Sequence, residues 1–292
     1  MNAFDQHPGY KIGTIRHFND FQSQFVQSRN IDVWLPYPYD SSIAYAVLYM
    51  HDGQNIFESE SSFNRISWKV DETLSTLIAN KTIRPCIVVG IWNTEKRFQE
   101  YTPLKPFLNY NIQEEDKVLF EVLNSSISDE YLKFITLEVK PFIDSTFNTL
   151  KDKGNTFISG SSMGGLISIY ALCEYPEIFG GAACLSTHWP FSLIQADPLM
   201  FNAITDYLKF HLPPPQTHKI YFDRGTETLD SIYASYQSDV DRILKEAGYT
   251  RKSWMTSIFE GDEHSELYWQ RRFHIPATFL LSESELEIMN IL

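Results

Sequence analysis

Cysteine is scarce and odd in number: the chain has only Cys86, Cys173 and Cys184. All three lie in apolar runs, two in candidate strands and one in a candidate helix. That placement predicts free thiols in a reducing compartment and excludes a disulfide frame. Basic residues are also short. Against 37 Asp and Glu there are 24 Lys and Arg, a net charge of −13. Such a chain lacks the basic face that phosphates require, so a nucleic-acid partner is not expected. No apolar run approaches the length of about 20 residues that spans a bilayer. The opening residues Met1 to Gln6 lack the charged-then-apolar order of a secretion signal. The expectation is a cytoplasmic protein with no membrane partner. Metal-ligand spacings are missing too, with no His-Glu-x-x-His and no paired cysteines, so neither a metal nor another cofactor is expected.

What is present is enough for a substantial core. The chain has 292 residues, of which 43% are hydrophobic. Without repeats or a compositional boundary, that predicts one domain over residues 1–292.

The most informative stretch is Asn155 to Leu172. It opens as a short β-prone run, passes through small residues and continues with apolar residues at helical spacing. Within it, Gly160-x-Ser162-x-Gly164 fits the nucleophile elbow, G-x-S-x-G. Such a turn runs so tightly from strand to helix that side chains two positions either side of the serine would collide, hence the glycines. The serine hydroxyl then stands at a helix N-terminus, where free N–H groups favour negative charge. A bare G-x-S-x-G arises by chance in about one chain of this length in ten. The strand before it and the helical stripe of Leu166, Ile169, Tyr170 and Leu172 after it therefore carry the assignment of Ser162 as nucleophile.

Around this stretch, strand and helix patterns alternate. Residues 13–36 form an antiparallel pair, and 46–50 and 86–92 read as strands buried on both faces. A helix is expected over 68–80 and a longer one over 128–147, kinked or broken at Pro141. Residues 93–127 have little periodicity and are expected to be a lid or binding loop. Further strands fall at 181–186, 219–223 and 254–259, with helices over 197–209, 231–247 and 265–281. This order implies a mostly parallel eight-stranded sheet with an antiparallel N-terminal edge and helices on both faces, the α/β-hydrolase arrangement.

In that fold the chain order is serine, acid, histidine. Of the eight histidines only His264 and His274 follow the eighth strand. His264, in a polar loop after Gly261, is the expected general base, whereas His274 falls inside the closing helix. The acid belongs after the seventh strand, where Asp223, Glu227 and Asp230 compete. Asp230 is favoured, with Glu227 as the alternative. The oxyanion donors are expected from the backbones of Met163 and of Gln54, in the loop His51-Asp52-Gly53-Gln54-Asn55. His188 and Trp189 are expected to help shape a substrate pocket.

The elbow, the His51–Asn55 loop, Gly225-Thr226-Glu227 and Gly261-Asp262-Glu263-His264 resemble the Putative esterase family, which groups esterase D, enterochelin esterases, feruloyl esterase domains and mycolyltransferases. The resemblance runs from about residue 30 to the end. The Asp-Gly-Gln loop and the run Trp269-Gln270-Arg271-Arg272 bring the enterochelin-esterase-like branch nearest. It implies a serine hydrolase acting on small-molecule carboxylic esters, with Ser162 and His264 at the matching positions. The chain departs from the family at the acid, which many members carry three residues after the loop glycine, here Thr228. An acyltransferase working through the same acyl-enzyme, and a non-catalytic binding module on the same scaffold, are the alternative readings.

Overall fold

β1 (Thr14–Phe21) and β2 (Arg29–Leu35) pair antiparallel, and β2 continues antiparallel onto β4 (Cys86–Ile91). From there every pairing is parallel, through β3 (Ala46–His51), β5 (Thr156–Ser161), β6 (Gly181–Leu185), β7 (Lys219–Gly225) and β8 (Trp254–Phe259). The sheet order is β1-β2-β4-β3-β5-β6-β7-β8. This computed structural model describes residues 12–108, 124–190 and 198–284. The part of the expected lid over 109–123 lies outside the described residues.

Side-chain alternation divides the core into two layers. On one face Ile31, Val33, Val47, Tyr49, Ile87, Val89 and Ile158 join a cluster with the helices Met163–Glu174, Pro198–His211 and Ala234–Glu246. On the other, Trp34, Leu48, Met50, Val88, Leu185 and Tyr221 pack against Val70–Ala79 and the C-terminal helices. Successive residues of a strand point to opposite faces, so a strand buried on both sides is built mostly of apolar and small residues. β3, β4, β5 and β6 are buried at every position. All three cysteines are buried and free. Among the described residues no helix is long and apolar enough to cross a membrane.

Two expected helices are modified by proline. The first runs Ser128–Lys133, widens into a π-helical stretch Phe134–Val139, and resumes as Lys140–Thr146. Pro141 has no N–H for the Leu137 carbonyl and its ring crowds that turn, so the widening directly before it has a steric cause. The second, expected as one helix over 265–281, is two, Glu266–Arg272 and His274–Leu281. Pro276 cannot donate to the Arg272 carbonyl, which frees the chain to break at Phe273.

The first part of the 93–127 segment is structured. It forms the helix Arg97–Tyr101 and a 3₁₀ turn Lys105–Phe107, with Tyr101 and Phe107 in the core. Its tie to the sheet is a buried ion pair. Arg29 of β2 donates through Nη1 and Nη2 to the Glu100 carboxylate at 2.8 and 2.5 Å, and both side chains are essentially unexposed. Arg29→Met would strand the Glu100 charge. The expected result is a loss of about 3–5 kcal/mol of unfolding free energy, measured by denaturant titration.

Candidate active site

Every loop that matters leaves the C-terminal edge of the parallel strands, where open α/β sheets place their ligands. At the end of β5 the chain turns into the helix Met163–Glu174 through Ser162, which takes φ 57° and ψ −122°. This is a conformation an L-residue adopts only when its surroundings impose it. Those surroundings are visible. Ser162 N–H donates to the Leu185 carbonyl at 2.9 Å, and the Ser162 carbonyl accepts from His188 N–H at 3.2 Å. A side chain at position 160 would bring its Cβ within 2.8 Å of the Gly164 carbonyl carbon, so only glycine fits there.

The Ser162 side chain opens into a cleft of about 410 Å³. His51, Asp52, Gln54, Asn93, Arg97 and His264 line it, and Ile56, Phe63 and Trp68 form its apolar wall. The histidine thus reaches the serine's cleft from a residue 102 positions later in the chain. No hydrogen bond joins the Ser162 hydroxyl to the His264 ring among the described residues. Such contacts commonly tighten only when substrate is bound.

The ring of His264 is held from behind. Its Nδ1 lies 2.6 Å from Asp230 Oδ1. An ionised carboxylate only accepts, so Nδ1 carries the proton and the Nε2 lone pair is left for the cleft. The rings of Trp269 and Tyr233 stand edge-on to the imidazole at centroid distances of 5.0 and 5.9 Å. His264 N–H donates to Thr228 Oγ1 at 2.9 Å, and Thr226 and Glu227 N–H both donate to the Asp262 carbonyl. The acid loop and the histidine loop are therefore stitched together.

Asp230 is fully buried. Its Oδ2 accepts from Ser186 Oγ at 2.6 Å and from Gly225 N–H at 2.6 Å. Burial pushes its carboxyl up, but the His264 contact and the Ser186 and Gly225 hydrogen bonds outweigh burial and hold it below the usual range. Glu227, the alternative acid, is exposed, and among the described residues its carboxylate meets only the Thr226 hydroxyl, at 3.4 Å. Asp223 is committed elsewhere, accepting from Ser186 N–H, Tyr221 Oη and Arg272 Nη2. Arg272 also donates to Ser186 Oγ and Asp262.

Met163 is the first residue of its helix, and Gln54 lies in the 3₁₀ turn Gly53–Asn55. Neither backbone N–H has an acceptor among the described residues. Initial N–H groups of a helix have no partner within it. Met163 directly follows Ser162, and Gln54 is among the residues that line the cleft.

His188 and Trp189, expected to help shape a substrate pocket, are both buried and are not among the residues that line the cleft. Trp189 is a core residue, fully buried, with Nε1 donating to Gln237 Oε1 at 3.0 Å. His188 is 3% exposed with Nδ1 2.7 Å from the Tyr233 hydroxyl. Burial first, then the proximity of His264 and of the Arg97 guanidinium, push its pKa down to about 4, so its ring is neutral. His274 lies in the last helix, away from the residues named for the cleft.

Ser186, Asn93 and Arg97 are not among the expected site residues, although Asn93 and Arg97 fall within the aperiodic segment 93–127. The role of Ser186 depends on long-range contacts and has no local signal. For Arg97 a faint one existed, a cation in a segment already singled out as functional.

The family described as Putative esterase matches residues 23–274. The chain is 23% identical over 254 residues to the uncharacterized protein YbbA of Bacillus subtilis, covering 84% of this chain and 90% of YbbA. Among solved structures it is similar to a ferulic acid esterase, with TM-score 0.67, 15% identity, and 92% and 98% of the two chains covered. It is likewise similar to the enterobactin esterase FES of Shigella flexneri, with TM-score 0.67, 17% identity, and 92% and 58% covered. At such identities the structural likeness speaks for the fold, α/β-hydrolase, and the family match goes further: this chain belongs to the Putative esterase family.

Proposed function

We propose that this protein hydrolyses carboxylic esters through an acyl-enzyme on Ser162, with His264 as general base and Asp230 as the acid that orients it. The observation that carries the reading is the 2.6 Å contact of His264 Nδ1 with Asp230 Oδ1, on a ring that shares a cleft with Ser162.

The steps follow from the geometry. His264 Nε2 takes the Ser162 proton as Oγ bonds to the ester carbonyl carbon. The carbonyl oxygen gains negative charge, which the Met163 and Gln54 N–H groups are free to receive. His264, now an imidazolium beside the Asp230 carboxylate, returns the proton to the departing alcohol oxygen. Water then attacks the acyl-enzyme with His264 again as base, releasing the carboxylic acid and restoring Ser162.

The apolar wall of Ile56, Phe63 and Trp68 suits an aromatic acyl group or alcohol. Phe63 is 90% exposed at the rim, a large apolar surface that a flat ring would cover. Esters carrying an aromatic ring are the substrate class this favours, in keeping with the ferulic acid esterase that shares the fold.

The test is to quench the protein during turnover of a p-nitrophenyl ester and locate the added acyl mass by peptide mass spectrometry. Acylation of Ser162 is the expected result. Turnover with the acyl group on another residue, or on none, would overturn the mechanism. Methyl ferulate against methyl butyrate tests the substrate class.

A further inference from the structure

Asp52 stands immediately before the oxyanion turn and has a left-handed backbone, φ 57° and ψ 44°, without being glycine. Aspartate enters this region more readily than most non-glycine residues because its short side chain can hydrogen-bond, and at Asp52 those bonds come from a neighbouring segment. Its carboxylate is gripped from one direction. Arg97 donates through Nε to Oδ1 and through Nη2 to Oδ2, both at 2.7 Å, and Asn93 Nδ2 donates to Oδ1 at 2.6 Å. The backbone is anchored to the same segment. Asp52 N–H donates to the Tyr101 hydroxyl at 3.3 Å, and Asn93 N–H donates to Gln54 Oε1 at 3.1 Å. Below the turn there is no slack, because a Cβ on Gly53 would come within 2.5 Å of the Gly90 carbonyl carbon.

The charge matters as much as the shape. Asp52 is 7% exposed, and its Oδ2 lies 3.4 Å from the position a Gly164 Cβ would occupy, against the first turn of the helix that Met163 opens. A bare carboxylate there would oppose negative charge developing on a substrate oxygen. His51 cannot neutralise it, since burial pushes that imidazole down to about 3 and keeps it uncharged. Arg97 can, and its bidentate grip fixes the geometry at the same time.

We infer that Arg97 is a positioning residue for the oxyanion site: it holds Asp52 in the left-handed turn that presents the Gln54 N–H, and it cancels a carboxylate that would otherwise repel the tetrahedral intermediate. This rests on the esterase reading above. Arg97 acts here through Asp52 and need not touch substrate.

The experiment compares wild type, Arg97→Met, Arg97→Lys, Asp52→Asn and the double variant Arg97→Met/Asp52→Asn on a p-nitrophenyl ester, with Ser162→Ala as control. Arg97→Met should lower kcat about 10- to 100-fold and change KM by less than about threefold, because the loss falls on the transition state. It should weaken inhibition by a phenylboronic acid, whose tetrahedral adduct on Ser162 carries an oxygen into the same site, by a similar factor. The double variant, free of the stranded charge, should recover about tenfold over Arg97→Met. Arg97→Lys keeps the charge without the fork and should fall between wild type and Arg97→Met. If Arg97→Met does not fold, the lysine and double variants carry the same comparison. A Ser162-dependent wild type with unchanged kcat in the Arg97 variants overturns the inference alone, as does a folded double variant no better than the single. Hydrolysis that survives Ser162→Ala overturns the esterase reading and the inference with it.

Discussion

Ser162→Ala is expected to lower kcat for a p-nitrophenyl ester by about 10³- to 10⁶-fold, the range seen when a serine nucleophile is removed and only the oxyanion donors and binding remain. The variant keeps the Met163 and Gln54 amides and the His264–Asp230 contact, so what disappears is the covalent route. Steady-state rates on purified protein decide it, and an Ala variant within tenfold of wild type would refute the assignment. Ser162→Gly adds an independent readout. It should be as inactive, yet more stable by about 1 kcal/mol, because φ 57° and ψ −122° strain a serine and not a glycine. Denaturation midpoints check this. A glycine variant less stable than the alanine one would mean that the turn is not strained.

Asp230→Asn is the second large effect, with an expected loss in kcat of about 10⁴-fold, as for the corresponding aspartate-to-asparagine change in a Ser-His-Asp protease. The reason is the tautomer. An asparagine can turn its amide N–H toward His264 Nδ1, which leaves the ring proton on Nε2 and removes the lone pair that would take the Ser162 proton. Asparagine has one oxygen to offer where Asp230 serves His264, Ser186 and Gly225 with two. Glu227→Gln, on the exposed carboxylate, should stay within about twofold of wild type, as surface changes away from such features usually do. Loss in Glu227→Gln with retention in Asp230→Asn would reverse the assignment. The same substitution reports on stability against pH. The Asp230 carboxyl is lowered on folding, so it contributes stability above its unfolded pKa of about 3.9. That contribution is lost as pH falls through the lower folded value. In Asp230→Asn the acid limb of a stability–pH curve should be correspondingly flatter.

The acid shows why part of the site was hidden in the sequence. Three carboxylates follow Gly225 or end its strand, and spacing alone could not rank them. The chain's left-handed Thr228, at φ 49°, starts the 3₁₀ turn Thr228–Ile232, in which Asp230 is buried and Glu227 left outside. Thr228 itself uses its hydroxyl to hold the His264 backbone. Arg97 was hidden more deeply. Nothing local links it to Asp52, 45 residues earlier, until β3, β4 and the Arg97–Tyr101 helix meet at one end of the sheet.

By itself the chain's sequence determined the strand–helix alternation and picked out the candidate serine and histidine, because each rests on local spacing: glycines two residues either side of a serine, apolar runs of strand length, one histidine in the loop after the eighth strand. The tertiary structure alone decided which carboxylate meets that histidine, that Trp189 faces the core, and that an arginine from an aperiodic segment grips Asp52 beside the Gly53–Asn55 turn. Those outcomes depend on long-range packing, where burial and the count of available donors select among residues that look alike along the chain.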